Sequence, residues 1–500
     1  MNQTGKLATD RLANDSRPER ARTTPHTNRW RRKAAGALSL IAAATLMVTG
    51  CAREGATTPD TASSSAALAP EGAGSGAGSG GGSERDEASA NAHTIDDQSA
   101  EAGMELTPEA QADALTANAA QAVRQFTANL HRALDGLGEA DGNLVYSPVS
   151  THVALSMVSA GARGDTLTQL RTVLGQLPVG EQSHAAELGL SSHIASLATG
   201  DNILRMANRV WVSEQRRGEV VAATEQVLRG YYGSELAGAD FAGATEQARS
   251  TINGWVSDRT EALIPELIAQ GVLTPNTVMV LVNAIYFRFL WAEPFEASAT
   301  SDRAFRLADG SEARVPTMEA TRSGVATRRG PGWRSVDLPY ADRRVVMSVV
   351  LPDEDAGGLD QLAAQLVDGS LLASLATPAR GQRVHLRVPR MTLRSQLSLG
   401  PALEAAGMPL VFSEHADLSG LMTTRNISLS HVIHEAFIQV DEVGTEAAAA
   451  TAAVVAVRSA APGQEPMRFF VDRPFLVVVR DVEHSVPLFV AFVADPRSSD

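Results

Sequence analysis

The sequence predicts an α+β protein whose folded body occupies residues 107–497. Strand-like runs of β-branched and other apolar residues alternate with amphipathic stretches, but no regular strand–helix repeat is visible. Two strand-like runs follow each other closely near the C-terminus, as in a hairpin. Hydrophobic residues make up 44% of the 500 residues, which is enough to fill a large core.

The first 51 residues have the features of an export signal. A basic stretch from Arg29 to Lys33 precedes an apolar run from Ala34 to Val48, and this run is too short to span a membrane comfortably. The tetrapeptide Val48-Thr49-Gly50-Cys51 resembles the bacterial lipobox, in which the cysteine is lipidated and becomes the mature N-terminus. Residues 1–51 are therefore predicted to be a lipoprotein signal peptide, with an ordinary signal-anchor as the alternative.

Cys51 is the only cysteine, so the fold must form without an internal disulfide. Its lipidation would leave the exported protein anchored to the bacterial cell envelope, at the cell surface or facing the extracellular space.

Residues 52–106 are rich in Gly, Ser, Ala and acidic residues, with few apolar side chains to bury, and are predicted to be a disordered tether. A flexible chain of about 55 residues has an end-to-end distance of roughly 40 Å.

The folded body is predicted to begin with a helix, since Thr107 can cap its N-terminus and Pro108 suits its first turn. Apolar residues at spacings of three and four form one face of this helix: Val123, Phe126, Leu130 and Leu134. Five later runs are typical of strands: VMVLVNAIYF, RVVMSVVLP, RVHLRVPRM, FLVVVRD and PLFVAFVAD.

Charge and motifs exclude several classes of function. The net charge is −14, and the first 33 residues hold nine basic and three acidic residues, which leaves about −20 for the remainder. Such an acidic body argues against a nucleic-acid partner. The chain also lacks a Gly-x-Ser-x-Gly elbow, a phosphate-binding glycine loop and a His-Glu-x-x-His motif. We therefore expect neither enzymatic activity nor a cofactor.

His431 and His434 are a candidate pair of metal ligands. They lie three residues apart in the run SHVIHEAFIQV, which alternates like a strand and would place them on opposite faces. The interpretation that follows is a pair of histidines that bind no metal.

Seven further segments stand out in order along the chain: NLVYSPVSTHVALSMVSAGARGDTLTQL, LVNAIYFRFLWAEPF, LPYADRRVVMSVVLPDE, VPRMTL, ADLSGL, DEVGTEAAAAT and VDRPFLVVVRD. Taken together and in this order, they resemble the signatures of the serpin family of protease inhibitors. Together with the lipobox they indicate a bacterial lipoprotein-type member of this family. The resemblance implies the serpin fold, a monomer with three β-sheets, eight or nine helices and an exposed reactive loop near the C-terminus.

The resemblance also implies an inhibitory mechanism. A target serine protease attacks the reactive loop as a substrate and forms an acyl-enzyme. The freed hinge of the loop then inserts as a new central strand in the large sheet, which distorts the protease and traps the ester. The hinge residues that match the family pattern are Glu442, Gly444, Thr445, Glu446, Ala447, Ala448, Ala449, Ala450 and Thr451.

The composition of this hinge suits insertion into a sheet. No proline occurs from Gly444 through Ala461, so none would remove a ladder hydrogen bond. If Thr445 points inward, every second residue after it also points inward. These residues are small or apolar: Ala447, Ala449, Thr451, Ala453 and Val455. Glu446 then points outward. Non-inhibitory relatives often carry proline or charge in the hinge, so this composition favours inhibition over the alternative, a non-inhibitory serpin-fold binding protein.

In inhibitory relatives, the residue before the scissile bond lies fourteen residues after the hinge glycine. Counting from Gly444 assigns the reactive bond to Arg458–Ser459. A trypsin-like protease, whose specificity pocket is acidic, would accept this arginine. Cleavage one or two residues earlier, at Ala456 or Val457, would instead indicate an elastase- or subtilisin-like target, and a cysteine protease is a further alternative.

The polar cluster that gates sheet opening in the family maps onto three residues: Ser150, Asn283 and His434. Buried polar groups need partners, and these three could satisfy one another. Trp291 matches the tryptophan at the point where the loop first enters the sheet. His152 and Glu435 depart from the family pattern, which more often has apolar and basic residues at these places.

Overall fold

The computed structural model describes residues 107–138, 142–176, 181–425, 427–445 and 465–497. In these ranges the chain forms nine α-helices, in agreement with the predicted eight or nine: Pro108–Leu137 (α1), Pro148–Gly161 (α2), Gly164–Leu174 (α3), Glu181–Ser196 (α4), Ala222–Tyr232 (α5), Thr245–Arg259 (α6), Gly358–Val367 (α7), Ser370–Ala376 (α8) and Gly400–Ala406 (α9). None of the helices in this part of the chain combines the length and the apolar character needed to cross a membrane.

The strands of the same ranges account for all five runs that the sequence predicted, which fall largely within β4, β8, β9, β14 and β15. The strands are Leu144–Tyr146 (β1), Ile203–Ser213 (β2), Leu236–Ala239 (β3), Met279–Leu290 (β4), Ser301–Arg306 (β5), Glu312–Gly330 (β6), Trp333–Pro339 (β7), Val345–Pro352 (β8), Arg380–Pro389 (β9), Met391–Ser398 (β10), His431–Val440 (β11), Gly444–Thr445 (β12), Met467–Phe470 (β13), Phe475–Asp481 (β14) and Pro487–Val493 (β15). The α+β class is therefore confirmed.

α1 begins as its sequence predicts. The Thr107 hydroxyl accepts a hydrogen bond from the backbone N–H of Ala110 at 3.2 Å, and Pro108 occupies the first turn, where its missing N–H is not needed. The predicted apolar face is buried against the core, with at most 1% of each residue exposed: Val123, Phe126, Leu130 and Leu134.

The strands form two hydrogen-bonded sheets. The six-stranded sheet has the order β10-β11-β12-β4-β2-β3, and the nine-stranded sheet has the order β1-β15-β14-β8-β7-β6-β9-β13, with β5 paired to β6. The family resemblance implied three sheets. The long strand β6 accounts for the difference, because it pairs with β5 and β9 along most of its length and with β7 at its end. It thereby joins two groups of strands into one network.

α2 lies between the two sheets, in contact with β2 and β4 of the smaller sheet and with β15 of the larger one. All of its residues except Ala160 are buried, as expected for a helix without a polar face. The Ser147 hydroxyl caps its N-terminus by accepting the N–H of Ser150 at 3.3 Å. The backbone N–H of Ser147 donates to His434 of β11 at 3.0 Å, which places the start of α2 against the six-stranded sheet.

Candidate functional site

The hinge begins in the structure as β12, a two-residue strand in the six-stranded sheet. Gly444 and Thr445 pair antiparallel with the end of β4, where Thr445 lies opposite Phe289. On its other side Thr445 pairs antiparallel with Val440 of β11. The first two residues of the predicted insertion segment therefore already lie between the two strands that would have to receive it.

Beyond β12, the strands β4 and β11 close onto each other. They pair directly and in parallel from His431 opposite Val280 to Ala436 opposite Ile285. The gap between these strands is therefore confined to one end of the sheet, and a longer insertion must separate this parallel ladder.

A tight turn connects β11 to β12. The Asp441 carboxylate accepts the backbone N–H groups of Val443 at 2.9 Å and of Gly444 at 3.2 Å. Trp291 follows the end of β4 and holds the same turn, because its indole N–H donates to the Asp441 carbonyl at 2.9 Å and its backbone N–H donates to the Val443 carbonyl at 2.9 Å. The structure thus puts Trp291 beside the start of the hinge.

Glu442 fixes the turn from the other side. Its carboxylate receives Arg390 Nε at 2.8 Å and pairs with Arg390 Nη2 at 2.5 Å, and it also accepts the Thr300 hydroxyl. Burial acts to raise the pKa of Glu442, but the hydrogen bonds from Arg390 and Thr300 outweigh it and hold this pKa below its ordinary value. The carboxylate is therefore ionised at neutral pH and links the turn to the residues just before β10 and β5.

The side chain of Thr445 faces the interior and is fully buried. Its hydroxyl lies 2.7 Å from the Tyr340 hydroxyl, and the Tyr340 ring stacks on Trp291 with 4.6 Å between centroids. Burial raises the pKa of Tyr340, so its phenol stays protonated. At Gly444 an added Cβ would lie 2.2 Å from the Phe289 carbonyl oxygen. Only glycine fits this position without a backbone shift.

The structure brings Ser150, Asn283 and His434 together. Asn283 of β4 and His434 of β11 lie opposite each other in the parallel ladder, and Ser150 of α2 lies against them. The Asn283 amide donates to the Ser150 hydroxyl at 2.5 Å. The Ser147 N–H donates to His434 Nε2 at 3.0 Å, so the other ring nitrogen carries the proton and donates to Asn283 Oδ1 at 2.5 Å. Burial lowers the pKa of His434 to about 4, and the ring is neutral at physiological pH.

Two members of this cluster were missed by the sequence analysis. Asn208 of β2 lies directly opposite Asn283 and accepts its amide at 2.5 Å. The Thr151 hydroxyl donates to Asn283 Oδ1 at 3.3 Å. Thr151 could have been found from its place beside Ser150 in α2, but Asn208 could not, because the register of β2 against β4 has no local sequence signal.

The two residues that depart from the family pattern are both buried. Glu435 points away from the cluster and pairs with Arg394 at 3.1 Å, and burial raises the pKa of Glu435 to about 7 despite the opposing effect of this arginine. His152 Nε2 donates to the Leu174 carbonyl at 3.0 Å and so joins α2 to the end of α3. His431 lies on the opposite face of β11 from His434, as the alternation predicted.

Several predicted positions lie outside the described residues. They are the hinge from Glu446 to Thr451, the reactive bond Arg458–Ser459, the tether 52–106 and the signal segment with Cys51. Their predicted roles stay predictions.

The chain is similar to a known family of proteins. A family model described as Serpin (serine protease inhibitor) matches residues 121–496. A leukocyte elastase inhibitor of Sus scrofa is 33% identical over 380 residues, which cover 74% of this chain and 98% of that protein. The protein Iris of Ixodes ricinus is 32% identical over 381 residues, covering 75% and 98%. Human thyroxine-binding globulin, solved in complex with thyroxine, superposes with a TM-score of 0.67 at 26% identity, covering 77% of this chain and 100% of that one.

Proposed function

This chain belongs to the serpin family of serine protease inhibitors, and we propose that it is a suicide substrate for trypsin-like proteases. The protease serine attacks the carbonyl of Arg458, an acyl-enzyme forms, and the amine of Ser459 leaves. The hinge then inserts between β4 and β11 before water hydrolyses the ester. Each inhibitor molecule is consumed in one encounter, as expected of an inhibitor rather than a catalyst.

The observation that carries this proposal is the position of β12. Gly444 and Thr445 already pair with both β4 and β11, so the receiving site for the rest of the hinge is preformed at its entrance. The remaining hinge residues are small, free of proline and uncharged from Ala447 to Val457. These properties support insertion as a central strand.

The proposed specificity rests on one residue. Arg458 is the only basic residue between Gly444 and Arg468, and it lies at the family's distance from the hinge glycine. The relative from Sus scrofa carries the name of an elastase inhibitor, which favours a second candidate, an elastase-like target that cleaves after Ala456 or Val457. The two candidates differ in the bond that is cut.

Incubation with trypsin is expected to give a covalent complex that survives boiling in detergent, together with a released peptide that begins at Ser459. Arg458→Ala should slow complex formation with trypsin by roughly hundredfold or more, because the acidic specificity pocket loses its partner. Gel electrophoresis measures the complex, and mass spectrometry of the released peptide identifies the bond.

Arg468→Ala is the matched control, since Arg468 is also an exposed arginine and follows the loop in the sequence. Within the described part of the chain, its ion pair is with Glu465 at 3.0 Å. This variant should trap trypsin like the unmodified protein. A peptide that begins after Ala456 or Val457 would overturn the trypsin-like specificity but keep the mechanism. Cleavage of the loop without any covalent complex would overturn the mechanism and favour the binding-protein alternative, for which thyroxine-binding globulin is a precedent within the fold.

We also propose that the protein is exported and lipid-anchored at Cys51, as a bacterial lipoprotein-type serpin. This rests on the lipobox and on the occurrence of the chain's single cysteine at the position that lipidation requires. The tether 52–106 would hold the monomeric inhibitor away from the membrane surface.

Metabolic labelling with a tagged fatty acid in a bacterial host should mark the unmodified chain and leave Cys51→Ser unlabelled. The expected change is complete loss of label, because the thiol is the site of attachment and the chain has no other cysteine. Equal labelling of both proteins would rule out the anchor. This result would leave the inhibitory proposal untouched.

A further inference from the structure

Three side chains of the kind that bind metals converge where α4 meets the turn between β14 and β15. His193 lies in the last turn of α4, and Glu483 and His484 lie in that turn. One ligand atom from each lies within 4.8 Å of the other two, and among the described residues no other group of three His, Cys, Asp or Glu side chains is so arranged. This group is separate from the hinge and from the polar cluster.

The two nitrogens of His193 face different carboxylates. Nδ1 lies 3.9 Å from Glu483 Oε2, and Nε2 lies 3.4 Å from Oδ2 of the fully buried Asp481. Nε2 is itself buried and makes no hydrogen bond of good geometry. Metal-binding histidines commonly turn their second nitrogen towards a carboxylate, which orients the ring and leaves the first nitrogen as the ligand. Asp481 is placed for this positioning role.

His484, like His193, lies beside a second imidazole and a carboxylate. Its ring lies against that of His193, with 4.6 Å between centroids and a steep interplanar angle of 73°. Its Nε2 lies 3.8 Å from the exposed Asp113 of α1. The two imidazoles are therefore neighbours, and each has a carboxylate of its own outside the space between them.

The turn that carries Glu483 and His484 is held firmly in place. The two oxygens of the Asp481 carboxylate accept the backbone N–H groups of His484 and Val486, each at 2.7 Å. Arg124 of α1 donates to the His484 carbonyl at 2.5 Å. Because these bonds fix the backbone, only side-chain rotations remain for closing a metal site.

We propose that His193, Glu483 and His484 bind one Zn²⁺ ion. Two imidazole nitrogens and one carboxylate form a typical zinc ligand set with a fourth position open, whereas Ca²⁺ and Mg²⁺ require mainly oxygen ligands. Bonds of about 2.0–2.2 Å require the ligand atoms to approach one another by about 1 Å, which rotation of the exposed Glu483 side chain allows. The bound ion would bridge α4 to the β14–β15 turn and stabilise the folded state.

Calorimetric titration of the full chain, stripped of metal with a chelator, tests this site with ZnCl₂, CaCl₂ and MgCl₂ as probes. The unmodified protein should bind one Zn²⁺ that Glu483→Gln and His193→Gln lose, with affinity reduced at least about hundredfold, and it should show no comparable binding of Ca²⁺ or Mg²⁺. Asp113→Asn, which alters only the surroundings of His484, should cost about tenfold. Far-UV circular dichroism checks that each variant is folded.

His415→Ala is the matched control. His415 is an exposed histidine whose Nε2 lies 3.9 Å from Glu414 Oε1, the same separation as His193 from Glu483. No third ligand completes this pair among the residues that the structure describes. This variant should keep the Zn²⁺ affinity of the unmodified protein. Equal Zn²⁺ binding by the unmodified protein and Glu483→Gln, or loss of binding in His415→Ala, would overturn the proposal. With Co²⁺ as the probe, the visible absorption of a four-coordinate ion should appear in the unmodified protein and disappear in His193→Gln.

Discussion

Thr445→Arg is expected to convert the inhibitor into an ordinary substrate. The Thr445 side chain is fully buried between β4 and β11, where it contacts Tyr340. An unpaired guanidinium there should cost several kcal/mol, so in the variant this residue leaves the gap between the two strands before cleavage, and its burial becomes part of the insertion barrier. Each 1.36 kcal/mol added to the insertion barrier slows insertion about tenfold, while hydrolysis of the acyl-enzyme is unchanged. The number of inhibitor molecules consumed per trapped protease should therefore rise from near one to more than about ten.

Glu446→Arg is the control for this variant. Glu446 lies outside the described residues, and strand alternation places its side chain on the opposite face from Thr445. Its replacement should therefore change the number of inhibitor molecules consumed per trapped protease much less. If Thr445→Arg traps protease as efficiently as the unmodified protein, or if Glu446→Arg is the more damaging change, the inward–outward register proposed for the hinge is wrong.

Cleavage of the reactive loop is expected to raise the melting temperature by about 10 °C or more. Extending the pairing of Thr445 to the ends of β4 and β11 would insert the nine residues from Glu446 to Val454. At about 1 kcal/mol for each net hydrogen bond, the gain is on the order of 10 kcal/mol. A body of about 390 residues has an unfolding entropy of about 0.8 kcal/mol per degree at its midpoint, which converts this gain into the stated shift.

The measurement is calorimetry before and after nicking of the loop by a metalloprotease, which forms no acyl-enzyme. Mass spectrometry confirms the single cut. Nicked Thr445→Arg serves as the comparison, because cleavage without insertion should leave its melting temperature almost unchanged. Superimposable melting curves for the intact and nicked unmodified protein would favour a non-inhibitory member of the family.

Much of the fold could be predicted because its elements have strong local patterns. The capped start of α1 at Thr107 and the five apolar strand runs all lie where the sequence placed them. Strand alternation also put His431 and His434 on opposite faces of β11. The merging of strands into two sheets was not predicted, because it depends on the long-range pairing of β6 with β5, β7 and β9.

The site was predicted less completely, for the same reason. Ser150, Asn283 and His434 came from the family resemblance, whereas Asn208 and the Tyr340 contact to Thr445 depend on registers that no local pattern encodes. The proposed zinc ligands His193 and His484 are 291 positions apart in the sequence and meet only through the packing of α4 on the β14–β15 turn.

On the proposed mechanism, loop insertion would be a strand-displacement reaction that begins from the two residues of β12, which are already paired. Val440 and Phe289 already pair with Thr445, so the costly first contact precedes any protease attack. From Ala449 onward, each residue of the incoming strand would extend the insertion by one position and replace one β4–β11 pair by two new pairs. If the hinge inserts in this register, Thr451 would come to lie opposite both His434 and Asn283, which pair directly in the intact protein. Strand alternation would place its side chain on the inward face shared with Thr445, so we expect its hydroxyl to enter the polar cluster as that cluster separates and to supply a replacement partner for one of its members.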